Sequence, residues 1–185
     1  IHDNLYSLEL WHGPTAAFKD MALQIMPRLL SRALKKTGEE RTALILVATS
    51  GDTGKAALEG YKDIDKIKMM VFYPVDGVSK VQKLQMVTQT GSNVNVCAIK
   101  GNFDDAQTGV KKIFSDPEAK AKLLENGYVL SSANSINWGR LAPQIVYYFH
   151  SYCELLKSGE LNDSRYFEEK YDEYLSRYDF PKENA

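Results

Sequence analysis

The run TALILVAT, Thr42–Thr49, is continuously apolar and of strand length, which marks a strand buried on both faces. Three similar runs follow: KMMVFYPV from Lys68, NVNVCAI from Asn93 and YVLSSAN from Tyr128. Each leads into a helical pattern. KAALEGYK follows the first, Ser79 to Thr90 the second, Asp104 to Phe114 the third, and a long stretch through LAPQIVYYFHSYCELLK the last. An earlier helix is expected over Met21 to Leu34, where Met21, Leu23, Ile25, Met26, Leu29, Leu30 and Ala33 recur near a helical period. Pro27 inside that run predicts a kink. About four strand–helix units in succession predict an α/β domain built on an open three-layer parallel sheet flanked by helices.

In such sheets ligands bind beyond the carboxyl ends of the strands, so the loops after the strands carry the functional information. They read TSGDTG, PVDGVSK, IKGNFDD and SSANSINWGR. The first sets the hydroxyls of Ser50 and Thr53 beside Gly51 and Gly54 at a helix start, where N–H groups favour an anion. The P-loop spacing is absent. A plain N-cap turn using Ser or Asp is the competing explanation of the same residues. The last loop holds Asn134, Ser135, Asn137 and Arg140 at the next helix entrance. A cation on a first helical turn is unfavourable unless an anion neutralises it, and an Arg fork suits phosphate. A capped helix whose Arg pairs with a nearby acid is the alternative.

HGPTAAFKD, His12 to Asp20, places Lys19 where the first helix begins, again at the positive end of the macrodipole. A lysine amine near an anion site suits Schiff-base chemistry with a carbonyl cofactor. An exposed lysine paired with Asp20 explains the residue equally well.

Composition narrows the function classes. The chain has 185 residues, 44% hydrophobic and 25% charged, with net charge −1, so no basic footprint argues for nucleic acid or an anionic membrane. No apolar run approaches the roughly 20 residues that span a bilayer. Cys97 and Cys153 have neither C-x-x-C spacing nor a ligand cluster, which disfavours a disulfide framework and a zinc site and fits a reducing, cytoplasmic setting. Ile1 in place of a methionine reads as a piece of a longer chain.

Four segments taken together, LELWHGPTAAFKD, ATSGDTGKAALEG, KLQMVTQTGSNVNVCAIKGNFDDAQTGVKKIF and SSANSINWGRLAPQIVYYFHSY, resemble threonine synthase from about Leu5 to Glu160. That family has the pyridoxal 5'-phosphate (PLP) fold of the tryptophan synthase β group. The resemblance implies conversion of O-phospho-L-homoserine and water to L-threonine and phosphate. It implies that Lys19 is the lysine that holds the cofactor and shuttles protons, and that Ser50, Gly51 and Thr53 receive the substrate carboxylate. Asn134, Ser135 and Arg140, with Thr53 nearby, would grip the substrate phosphate. Asp52 stands where many relatives have an asparagine that touches the cofactor, and an aspartate plays that part only if protonated.

After ELLKSGEL the resemblance ends. The family's glycine-rich loop for the cofactor phosphate has no counterpart in NDSRYFEEKYDEYLSRYDFPKENA. Phe167, Tyr171, Tyr174 and Tyr178 recur there at helical spacing and predict an amphipathic helix. The expected organisation is 1–41 carrying the lysine helix, 42–160 as the α/β domain with the substrate loops, and 161–185 as a helical tail. Surface left exposed by a missing C-terminal part would favour self-association. A noncatalytic α/β remnant or interaction module that binds small anions competes with the enzyme reading.

Overall fold

The computed structural model of the chain describes residues 5–134 and 137–161. Ser135 and the amphipathic tail expected at 161–185, apart from Leu161, lie outside the described residues. The chain divides into two compact units, Ile1–Ile145 and Val146–Ala185.

The described residues of the first unit hold four parallel strands in the order β3-β2-β1-β4: β1 (Thr42–Ala48), β2 (Ile67–Pro74), β3 (Val94–Ile99) and β4 (Tyr128–Ser131). The expected parallel α/β sheet is present. Its helices are α1 (Asp20–Lys36), α2 (Asp52–Tyr61), α3 (Lys80–Val87), α4 (Phe103–Ser115), α5 (Pro117–Glu125) and the short α6 (Trp138–Leu141). Alternation along β1 and β2 sorts the core into two layers. Ile45, Val47, Met69 and Val71 pack with Leu23, Ala56, Leu58, Tyr61 and Met86 from α1, α2 and α3. Leu46, Ala48, Met70 and Phe72 pack with Ala106, Val110 and Phe114 of α4 on the other face. β1 is therefore covered on both sides, as its unbroken apolar run requires.

Strand order positions the site. β1, β2 and β3 step outward in one direction, and β4 returns to the opposite side of β1, with Ile45 opposite both Met69 and Ser131. The order reverses at β1 and β4, and a crevice at such a switch point opens beyond the carboxyl ends of its two strands. The loops after β1 and β4 are TSGDTG and SSANSINWGR, so topology brings those two together and leaves PVDGVSK and IKGNFDD further along the sheet.

Local detail beyond the sequence expectations follows from the structure. α1 runs through Pro27 without a break. Proline has no N–H for the carbonyl of Leu23, four residues earlier, and that carbonyl lies against Gly60 on α2, where a side chain's Cβ would overlap it. The stretch after Phe114 contains an additional helix, α5, opened by Asp116, whose carboxylate accepts from the N–H groups of Glu118 and Ala119, with Pro117 as its first residue. The long final helix is interrupted: α6 gives way to a 3-10 turn, Ala142–Gln144, centred on Pro143, before α7 (Ile145–Lys157). In the second unit the described part is α7, closed after Ser158 by Gly159 at φ 76°.

Candidate functional site

Lys19 is held at the N-cap position of α1 by the turn before it. The Asp20 carboxylate folds back and accepts from Thr15 N–H (3.0 Å), Thr15 Oγ1 (2.6 Å) and Ala17 N–H (3.2 Å). Asp20 is 3% exposed and already satisfied, so Lys19 does not pair with it as one reading of the sequence had it. The Lys19 side chain is 17% exposed, its Nζ lies 4.4 Å from the Phe18 ring centroid, and it faces Asp52 Oδ2 at 3.9 Å. Burial depresses its pKa below the ordinary lysine value. Asp52 opposes that shift, while the charges of Arg140 and Lys55 reinforce it. A lysine so placed carries a larger neutral fraction at neutral pH than a surface one.

The loop after β1 is capped by a residue that sequence reasoning passed over. Thr49 Oγ1 accepts from Gly51 N–H (3.0 Å) and Gly54 N–H (2.8 Å) and is 1% exposed. Neither Ser50 nor Asp52 serves as the cap of α2. Two of the N–H groups expected to face an anion are thus occupied internally, and the polar groups offered to the crevice are the side chains of Ser50 and Thr53. Gly51 takes φ 139°, a conformation that side-chain-bearing residues rarely adopt.

Lys19, Ser50, Thr53, Asn134 and Arg140 converge on one cleft of about 660 Å³, within the size range of small-molecule sites. Asp52 stands beside Lys19 without lining this cleft, and Gly51 is likewise not part of the lining. Asp52 Oδ1 accepts from Gln82 Nε2 (2.8 Å) and lies 3.3 Å from Lys55 Nζ, whose side chain is 7% exposed. Burial alone would raise the Asp52 pKa, but the Gln82 hydrogen bond and the charges of Lys55 and Lys19 outweigh it and hold it below the ordinary value. Asp52 is an ionised partner for two lysines. That state does not suit the hydrogen-bond donation a neutral residue would offer there.

Arg140 is 6% exposed, and Nη1 donates to Ala133 O (3.1 Å). Its Nε is buried without a hydrogen-bond partner, and among the described residues Arg140 has no ion-pair partner. Burial lowers its pKa, partly offset by Tyr61, whose own phenol is pushed up by burial. The expected helix-dipole argument does not apply, because α6 has only four residues. The case for an anion rests on the cost of a buried, unpaired cation. Asn137 caps α6, its Oδ1 accepting from Gly139 N–H (3.0 Å) and its Nδ2 donating to Ser132 O (3.0 Å).

The opposite wall is α4, supplying Phe103, Gln107, Val110, Lys111, Phe114 and Ser115. Their spacing along one helical face was readable, but the strand they cross was not. Lys19, Lys111 and Arg140 line the cleft, and among the described residues no Asp or Glu does. Its electrostatic preference is for an anionic ligand.

No family model matches the chain. Individual proteins do. A threonine synthase of Pseudomonas aeruginosa is 47% identical over 155 residues, covering 84% of this chain and 32% of that protein. The human threonine synthase-like 1 is 43% identical over 162 residues, covering 84% of this chain and 21% of its own length. The PLP-bound threonine synthase of Brucella melitensis superposes with a TM-score of 0.73 at 45% identity, covering 83% of this chain and 32% of that one. The yeast threonine synthase superposes with a TM-score of 0.68 at 40% identity. The chain spans about a third or less of the length of these relatives. By sequence and by fold, it is homologous to about one third of a threonine synthase, within the tryptophan synthase β-like fold.

Proposed function

We propose that this chain is the lysine- and substrate-bearing part of a threonine synthase, acting on O-phospho-L-homoserine with PLP to release phosphate and form L-threonine. One observation carries the reading: a desolvated lysine and a buried arginine with no ion-pair partner among the described residues face one cleft, and no described Asp or Glu lines it.

The residues present fit the aldehyde end of the cofactor. Lys19 offers a partly buried amine of depressed pKa at the cleft wall, and Asp52 beside it compensates its charge when it is protonated. When bound, PLP supplies the electron sink for bond breaking next to the substrate amine. Lys19 then accepts and returns protons at the substrate carbons. Ser50 and Thr53 receive the substrate carboxylate. Arg140, with Asn134 and Ser135, holds the phosphate and stabilises the charge it carries away. Lys111 adds positive potential from the far wall. The ligand set is proposed to be a small phosphorylated amino acid, with no nucleic-acid or membrane partner. A cytoplasmic setting is proposed from the cysteine usage, and among the described residues no helix is long and apolar enough to cross a membrane.

Borohydride reduction of the chain with PLP, followed by peptide mapping, is expected to place the pyridoxyl label on the peptide containing Lys19. A depressed pKa leaves more neutral amine at a given pH, so Lys19 should remain labelled at pH values where Lys157, whose pKa Glu154 raises, no longer reacts. Labelling spread evenly over the surface lysines would refute the assignment.

A second reading, an anion-binding module without turnover, draws on the same cation-lined cleft, which fits a phosphate with or without chemistry on it. Phosphate release from O-phosphohomoserine by this chain with saturating PLP is expected to stay near background. These 185 residues span about a third of the relatives' length, and each charge-assisted cofactor contact made by the other two thirds would be worth about 1.5–3 kcal/mol. Misplacement of about 1 Å can add a hundredfold loss in rate. Robust turnover that disappears in Lys19→Ala would show that the chain completes the cofactor site itself.

A further inference from the structure

Gln82 lies on α3, outside the cleft lining, yet its carboxamide is fixed at both ends. Ser79 Oγ donates to Gln82 Oε1 (3.1 Å), and Gln82 Nε2 donates to Asp52 Oδ1 (2.8 Å). The amide packs on the bare Cα of Gly51, where a Cβ would overlap it. Lys55 Nζ approaches the same Oδ1 at 3.3 Å. Asp52 is thereby anchored through one oxygen, and the other stands 3.9 Å from Lys19 Nζ. That separation keeps the charge attraction and is too long for a hydrogen bond.

We propose that Gln82 is a positioning residue: with Lys55 it holds the Asp52 carboxylate just beyond hydrogen-bonding reach of Lys19, leaving the Lys19 amine uncommitted for reaction. The inference rests on Lys19 being the reactive amine. The carboxylate is the mobile partner, since Asp52 is 42% exposed at its side chain whereas Lys19 is 17% exposed. Without the Gln82 donor, Oδ1 loses its shortest hydrogen bond, and the donors within reach are the ammonium groups of Lys55 and Lys19. The carboxylate closes on Lys19 and stabilises its protonated form. The charged groups facing Lys19 are Asp52 and Lys55 from α2 and Arg140 from α6, with Lys111 across the cleft on α4. Asp20 on its own helix is turned back to Thr15 and Ala17.

Trace labelling of the full chain with acetic anhydride across pH, read peptide by peptide, yields the titration midpoint of each lysine. Gln82→Met, similar in length but without a donor, should raise the Lys19 midpoint by about one unit, roughly a tenfold loss of reactivity at neutral pH. Lys35, paired with Asp65 at 2.8 Å, should not move. In an Asp52→Asn background the same substitution should have no effect, which a purely structural role for Gln82 would not produce. An unchanged or lowered Lys19 midpoint in Gln82→Met, or an equal shift in the Asp52→Asn background, overturns the proposal. If Gln82→Met does not fold by circular dichroism, Gln82→Ala decides the same question. Failure of Lys19 to take the pyridoxyl label would refute the functional reading instead, while a labelled Lys19 with an unmoved midpoint refutes only the role of Gln82.

Discussion

Gly60→Ala is expected to destabilise the chain by about 3 kcal/mol, although alanine is the better helix former. Gly60 is near the end of α2, and its Cα lies against the carbonyl of Leu23 on α1. An added methyl would overlap backbone, which cannot rotate away as a side chain can, so α1 and α2 must separate. Leu23 is fully buried, and Ala57, Leu58 and Tyr61 share its core, so separation loosens the layer beneath Lys19. The opposing gain from helix propensity is only about 1 kcal/mol. Gly109 on α4 provides the control: its added Cβ meets nothing within 4 Å. Gly109→Ala should therefore raise stability by up to about 1 kcal/mol. Urea unfolding of the two variants checks both signs, and a Gly60→Ala midpoint at or above that of the parent chain would refute the close helix contact.

Arg140→Ala is expected to weaken phosphate and O-phosphohomoserine binding by about 1.5–3 kcal/mol, roughly ten- to hundredfold. Binding of an unphosphorylated amino acid should change little. Arg140 is 6% exposed, its Nε is buried without a hydrogen-bond partner among the described residues, and the Nη1 hydrogen bond to Ala133 O does not neutralise its charge. A cation in that state is costly until an anion meets it. Inorganic phosphate at about a hundred times its dissociation constant should then stabilise the parent chain by about 2.7 kcal/mol. Thermal unfolding with and without phosphate should show that gain in the parent chain and not in Arg140→Ala. Equal loss for phosphorylated and unphosphorylated ligands, or a phosphate response that survives the substitution, would remove the phosphate role.

The continuous apolar runs at Thr42–Thr49 and Lys68–Val75 were enough to identify buried parallel strands, because only a strand covered on both faces can dispense with alternation. The loops worth attention followed from that class alone. Lys19 was conspicuous as a cation at a helix start, but sequence left open whether it serves Schiff-base chemistry or pairs with Asp20. The fold assigns Asp20 to the Thr15–Ala17 turn and Lys19 to the neighbourhood of Asp52, thirty-three positions away. Thr49 escaped notice because it ends an apolar run and looks like a strand residue, while its hydroxyl caps the helix that follows. The α5 start, Asp116-Pro117-Glu118, was a legible N-cap signal, and Pro143 was a legible interruption.

The local pattern of apolar and turn residues determined which segments are strands and helices, since burial of a face acts over a few residues at a time. Strand order was beyond its reach. Placing β4 beside β1 puts Arg140 and Lys19 on one cleft and brings α4 with Lys111 across it. Those pairings join residues separated by dozens of positions, and no periodicity encodes them. The same holds for the charges: a sequence shows that Arg140 is a cation, and only packing shows that it is buried with no counterion among the described residues. Its energetic demand for an anion arises from that removal from water.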